Sequence, residues 1–305
     1  MIVAEAVSKR YGSTVAVDDL TFSVEPGRVT GFLGPNGAGK STTMRMIIGL
    51  DAPSAGRVMV NGRSYREMRF PLREIGALLE AKAIHPGRNA RNHLRWLAAS
   101  NSIDPRRVDE VLEMVGLASV ARKRSGGFSM GMGQRLGIAA AMLGDPEVLI
   151  LDEPVNGLDP EGILWVRNLL RSLAGEGRTI FVSSHLMSEM ALTADRLIVI
   201  GRGRLLADAS VADVIAASSA NHVRVVSPDA DALRILIEGA GGSVSLDGAN
   251  VLNVTGLECR EVGVLAAQGG LTLYELSPQD ASLEEAFMEM TRDSAEFHAA
   301  EASQS

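Results

Sequence analysis

The stretch Gly34-Pro-Asn-Gly-Ala-Gly-Lys40-Ser41-Thr42 limits the folds open to this chain more than any other segment. It fits the pattern G-x-x-x-x-G-K-[ST], a loop whose glycines turn the backbone tightly and aim its N–H groups at an anion. Residues 29–33 read as a short buried strand and residues 41–50 as a helix. The loop therefore opens a helix, whose partial positive end falls on the same spot. A strand, a glycine loop and a helix in this order predict an α/β sheet that binds phosphate. Gly34, Asn36, Gly37 and Gly39 build the loop, and Thr42 follows it into the helix. Lys40 is placed to reach the outer phosphates of a nucleotide, and the Ser41 hydroxyl to ligate Mg²⁺.

A second segment points to the same chemistry. Val148-Leu-Ile-Leu151 is a continuous apolar run, as a fully buried parallel strand requires. It ends in Asp152-Glu153-Pro154. Two acids at the tip of a buried strand are costly unless a cation or partner faces them. Taken alone, the pair could equally cap the next helix. With the phosphate loop upstream, Asp152 is expected to hold the metal, directly or through water. Glu153 is then free to polarise an attacking water as general base.

Between these segments lies Phe128-Ser-Met-Gly-Met-Gly-Gln-Arg135, opening an apolar helix over 136–143. After the acids come Asn156-Gly-Leu-Asp159-Pro160 and Val182-Ser-Ser-His185. This order resembles the ATP-binding cassette (ABC) ATPases, over residues 1 to about 217. The resemblance makes residues 128–135 the family's signature, where Ser129, Gly131 and Met132 would bind ATP held by a second copy. It makes Asp159 part of the D-loop and His185 the switch histidine, which would bridge to the γ-phosphate and orient water. Tyr11 sits where the family places an aromatic on adenine; an aromatic after a strand is otherwise a core or rim residue. His185 outside this setting would be a surface or capping histidine.

Two positions depart from the family pattern. Met130 replaces a signature glycine, and the resulting S-x-G-M-x-Q-R resembles the bacterial drug and antibiotic exporters of the daunorubicin- and bacitracin-resistance type. Glu80 ends Ile75-Gly-Ala-Leu-Leu-Glu80 where the family usually has glutamine. Either Glu80 is a third oxygen for Mg²⁺ beside Ser41 and Asp152, or it merely caps the loop into the helical insertion.

Composition narrows the remaining options. A single cysteine, Cys259, rules out an internal disulfide framework and suits a reducing compartment. No apolar run approaches the ~18 residues of a membrane span, and the first residues lack the pattern of a signal peptide. A net charge of −7 without a basic block argues against nucleic acid as a partner. Of the 30 basic residues, 26 are arginine, which reads as genome composition rather than as a binding surface.

Strand-like runs at 2–7, 20–24, 29–33 and 58–60 come first, helical stretches near 89–100 and 104–115 follow, and runs at 148–151, 179–182 and 197–200 are then separated by helical segments, so a mostly parallel, helix-covered sheet is expected. Residues 81–135 would form a helical subdomain. A small-residue linker, Ala216-Ala-Ser-Ser-Ala220, precedes a β-α-β-β-α-β order with a hairpin around Asp247-Gly248 and a strand at 272–276. This reads as a ferredoxin-like α+β domain over 218–291, closed by a helix at 282–290, with a flexible tail at 292–305. The resemblance implies an ATP- and Mg²⁺-dependent ATPase working as a homodimer through its ATP sites. A separate transmembrane permease would hold it at the cytoplasmic face of the membrane as a peripheral subunit, exporting drug-like or antibiotic compounds. The alternatives are a soluble ABC ATPase acting on ribosomes or DNA, and an importer or regulatory subunit.

Overall fold

The structure is a computed structural model that describes residues 1–80 and 84–302, with side chains to residue 292. The first three residues of the expected helical subdomain, 81–83, lie outside the described residues. The chain divides into two compact units, Met1–Val211 with the segment from Thr291, and Ala212–Met290.

The first unit is built on a six-stranded sheet in the order β5-β6-β7-β3-β8-β9. These strands are β3 (Arg28–Leu33), β5 (Ile75–Leu78), β6 (Val148–Asp152), β7 (Thr179–Ser183), β8 (Arg196–Gly201) and β9 (Arg204–Ser210). Neighbours from β5 to β8 run parallel, and β9 closes the edge antiparallel. Strand β6 is buried up to its last residue and β7 along its whole length, which explains their unbroken apolar sequences. Phe32 from β3 and Phe181 from β7 meet Phe22, with ring centroids 4.9–5.9 Å apart, at the centre of the core. Phe22 belongs to a second sheet, β2-β1-β4, which is antiparallel: β1 (Ile2–Tyr11), β2 (Thr14–Val24) and β4 (Ala55–Val60). The sequence runs at 2–7, 20–24 and 58–60 fall in these three strands, but nothing in them separates a second, antiparallel sheet from the parallel one; β5 and β9 match none of the runs.

Helix α1 (Lys40–Ile47) leaves the phosphate loop. Between β5 and β6 come α2 (Ala90–Ser100), α3 (Arg106–Met114) and α4 (Met130–Met142). The Asn89 side chain caps α2 by accepting from the Asn92 N–H at 2.8 Å. Helix α3 buries Val108, Val111 and Leu112, the i, i+3, i+4 stripe its sequence shows. Helices α5 (Pro160–Gly175) and α6 (Met187–Thr193) follow β6 and β7.

The second unit contains β10 (His222–Val226), α8 (Ala230–Gly239), β11 (Ser243–Leu246), β12 (Val251–Thr255), α9 (Cys259–Gly269) and β13 (Glu275–Gln279), after a short helix α7 (Val211–Ala216). Its antiparallel sheet has the order β11-β12-β10-β13, so first and third strands are central, as the ferredoxin-like arrangement demands. Val225, Leu233, Ile237, Leu252, Val254 and Val262 are fully buried in its core. Strand β13 starts three residues later than the sequence suggests. Thr272 instead accepts a hydrogen bond from Ser227 Oγ at 2.7 Å, and the ladder begins only where Glu275 faces Val226. The last helix, α10 (Leu283–Ala302), also runs past the expected 290.

Candidate active site

The site forms where β3, β6 and β7 end side by side. Strand β3 delivers the loop, β6 delivers Asp152 and Glu153, and β7 lies between them, ending at Ser183. Gly39 shows why the loop needs glycine: its φ is +104°, and an added Cβ would stand 2.5 Å from the Ala16 carbonyl oxygen. Asn36 and Gly37 are exposed at the apex. The Lys40 ammonium folds over the loop, donating to the carbonyls of Gly34 at 2.5 Å and Pro35 at 3.2 Å. Burial pulls this ammonium below its ordinary pKa, against the opposing pull of the Glu153 and Asp152 carboxylates. The first turn of α1 has no acid and no side-chain cap, so its free N–H groups and Lys40 suit an anionic phosphate.

Asp152 binds on both sides. Ser41 Oγ donates to Oδ2 at 2.8 Å, and Ser183 Oγ donates to Oδ1 in a short contact. These hydroxyl and carboxylate oxygens are the donor set that hard divalent cations prefer. Among the described residues, no group of three or more His, Cys, Asp and Glu is arranged to hold a metal. Phosphate and water oxygens would complete the shell of a metal held here. Glu80 is exposed and makes no hydrogen bond or ion pair with the described residues. The parallel ladder pairs Leu78 with Leu151, so Glu80 follows β5 at the same end of the strands as the two acids without joining them.

Glu153 has a left-handed backbone, φ +52°, which costs an L-residue roughly 1–2 kcal/mol. It is held from three directions. Its N–H donates to Ser183 Oγ at 3.0 Å, and its carbonyl accepts from Gln134 Nε2 at 2.8 Å. Its carboxylate Oε2 lies 2.7 Å from His185 Nδ1 and accepts from the His185 N–H at 3.3 Å. Sequence pattern alone marks neither Ser183 nor this role of Gln134. The only signal for Ser183 was a hydroxyl two residues before the histidine.

Tyr11 ends β1 with its ring about half exposed. Its hydroxyl donates to Asp51 Oδ2 at 2.9 Å, and Arg45 Nε donates to the same oxygen at 2.7 Å. Desolvation first, then the Asp51 carboxylate, raises the phenol above its usual pKa; a hydrogen bond with Thr42 opposes them. Ser129 stands apart from these groups in its contacts. It is exposed and caps α4, accepting from the Met132 N–H at 3.2 Å. Gly131 packs against Gly157 and Leu158 of the following loop. Met130 lies over Gly157, whose φ is +73° and whose added Cβ would meet Met130 Cγ and Sδ at 2.5 Å. Asp159 caps α5 by accepting from the Gly162 N–H at 2.9 Å.

A phosphate loop at a strand end, a hydroxyl–carboxylate pair and a clamped glutamate define a P-loop nucleoside triphosphatase. The family model described as ABC transporter matches residues 17–156. A model described as AAA domain, putative AbiEii toxin, Type IV TA system, matches 124–191 inside the same unit, and a domain of unknown function matches 221–284. An uncharacterized ABC transporter ATP-binding protein of Bacillus subtilis, YhcH, is 36% identical over 293 residues, covering 95% of each chain. The bacitracin transport ATP-binding protein BcrA of Bacillus licheniformis is 46% identical over 203 residues, 66% of each chain. The dimeric structure of MJ0796, a bacterial ABC transporter cassette, shares the fold with a TM-score of 0.64 at 24% identity, over 69% of this chain and 98% of its own. The chain belongs to the family of ABC transporter ATP-binding proteins. It binds and hydrolyses ATP.

Proposed function

We propose that this chain is the Mg²⁺-dependent ATPase subunit of an exporter for drug-like or antibiotic compounds, working as a homodimer on a separate transmembrane permease. The observation that carries it is that Lys40, Ser41, Asp152 and the clamped Glu153 lie together at the C-terminal ends of strands β3, β6 and β7. The likeness to a bacitracin transport protein supports the substrate class. No described helix is long and apolar enough to cross a membrane, so the permease would be another chain, with this subunit at its cytoplasmic face.

Tyr11 offers its exposed ring to the adenine. The ATP phosphates enter the loop between Gly34 and Thr42, and Lys40 exchanges the loop carbonyls for the outer phosphates, offsetting their charge. Ser41 and Asp152 would hold Mg²⁺, which neutralises phosphoryl charge; Glu80 is the third candidate oxygen. The Glu153 carboxylate takes the proton of the attacking water. His185, already on that carboxylate, fixes the water and the γ-phosphate. Ser129, Gly131 and Met132 meet the ATP of a second copy, with Asp159 beside them. Two copies thus enclose two ATP molecules head to tail, and their closure moves the permease.

Glu153→Gln tests this reading. The variant should bind ATP, hydrolyse about 100-fold more slowly or worse, and elute as a dimer with Mg-ATP. Lys40→Ala should lose both binding and turnover. Normal turnover in either variant would overturn the assignment. Co-purification with a polytopic membrane protein tests the permease.

A further inference from the structure

Gln134 is a polar side chain buried to 3% exposure in a helix that is apolar but for it and Arg135. Its amide Nε2 reaches out of α4 to the Glu153 carbonyl, 2.8 Å away. The carbonyl it holds belongs to the one residue at the site that needs holding: a left-handed, non-glycine backbone carrying the general base. The same helix begins at Ser129, five residues earlier, or about 7.5 Å along the axis. Ser129 is exposed and Gln134 is buried. One rigid helix therefore has an accessible hydroxyl at its tip and the catalytic glutamate's carbonyl on its flank.

We propose that Gln134 is a positioning residue that couples the two ATP sites of the dimer. This rests on the paired-site reading above. ATP bound by one copy would engage Ser129 of the other and seat that copy's α4. Through Gln134, α4 then sets the backbone of Glu153 in its own copy, which serves the opposite ATP. Each nucleotide thereby readies the base that attacks the other. The ring contact of His185 and the Ser183 hydroxyl fix the remaining sides of Glu153, so the carbonyl is where a movement of α4 enters the site.

The test uses the 305-residue chain carrying Gln134→Met, which keeps the side chain's length and loses the donor. ATP affinity should match the unmodified chain, while the melting temperature falls modestly because the Glu153 carbonyl loses its donor. Turnover should fall about 10- to 100-fold, the cost of a displaced catalytic group. Its dependence on ATP concentration should change from sigmoidal to hyperbolic, with a Hill coefficient near ~1. A merely structural role would leave the Hill coefficient as it was. Should Gln134→Met not fold, Gln134→Asn, whose shorter amide cannot span the gap, gives the same reading. Unchanged cooperativity in a folded variant, or a hyperbolic curve in the unmodified chain, would overturn the coupling. Lys40→Ala run alongside separates the two ideas. If it is inactive and Gln134→Met is normal, only the coupling fails; if Lys40→Ala is fully active, the paired-site reading fails first.

Discussion

Ser183 and Ser184 are adjacent and chemically identical, yet the structure assigns them very different weights. Ser183 is fully buried and serves both acids, donating to Asp152 and accepting from the Glu153 N–H. Ser184 is also buried, but its hydroxyl accepts only the Leu186 N–H, at 3.0 Å. Ser183→Ala removes a hydrogen bond to a charged group, about 1.5–3 kcal/mol, and orphans an N–H, about 1–3 kcal/mol. Asp152 is only partly buried and keeps its bond from Ser41, so water relieves some of this loss. The net expectation is about 2–4 kcal/mol. Ser184→Ala should cost about 1 kcal/mol. Urea unfolding followed by tryptophan fluorescence measures the difference cleanly. Both tryptophans, Trp96 and Trp165, lie in the first unit, so the signal ignores the second. With a slope of about 2 kcal/mol per molar, the Ser183→Ala midpoint should drop by about 1–2 M. A drop no larger than that of Ser184→Ala would refute the reasoning.

Three further outcomes follow from the geometry. Gly157→Ala should impair ATPase and stability, because φ +73° costs roughly 1–2 kcal/mol and the new methyl strikes Met130. Adding Met130→Ala should restore only the steric part, so a double-mutant cycle showing no coupling would contradict the contact. Glu80→Gln should raise the Mg²⁺ concentration needed for half-maximal ATPase in the assembled complex if Glu80 is a metal oxygen; an unchanged requirement assigns it to the loop alone. His93 is buried with Nδ1 unpartnered, and burial, then the Arg88 charge, lowers its pKa. Below about pH 6.5 the unfolded chain takes up a proton that the folded His93 resists, so stability falls with acidity. His93→Leu should flatten the decline in melting temperature between about pH 7 and pH 5; an identical slope would show that His93 is not its source.

The sequence by itself singled out the candidate residues. The phosphate loop and the acidic pair named Lys40, Ser41, Asp152 and Glu153 before any strand was paired, because each is a residue type at a fixed spacing on one local element; His185 came from the resemblance to the ABC ATPases. It also determined the β-α-β-β-α-β order of the second unit, since hairpin and helix signals are local. The tertiary structure decided what stands next to what. Strand β7 inserts between β6 and β3, and only that order brings Ser183 onto Asp152 and Glu153. The helix of the signature packs so that Gln134 reaches a carbonyl 19 residues away in sequence. Glu153's left-handed backbone is equally invisible in the chain, because a glutamate carries no local preference for it. Such a conformation persists only when long-range hydrogen bonds over-determine it, and long-range partners are what a one-dimensional pattern cannot specify.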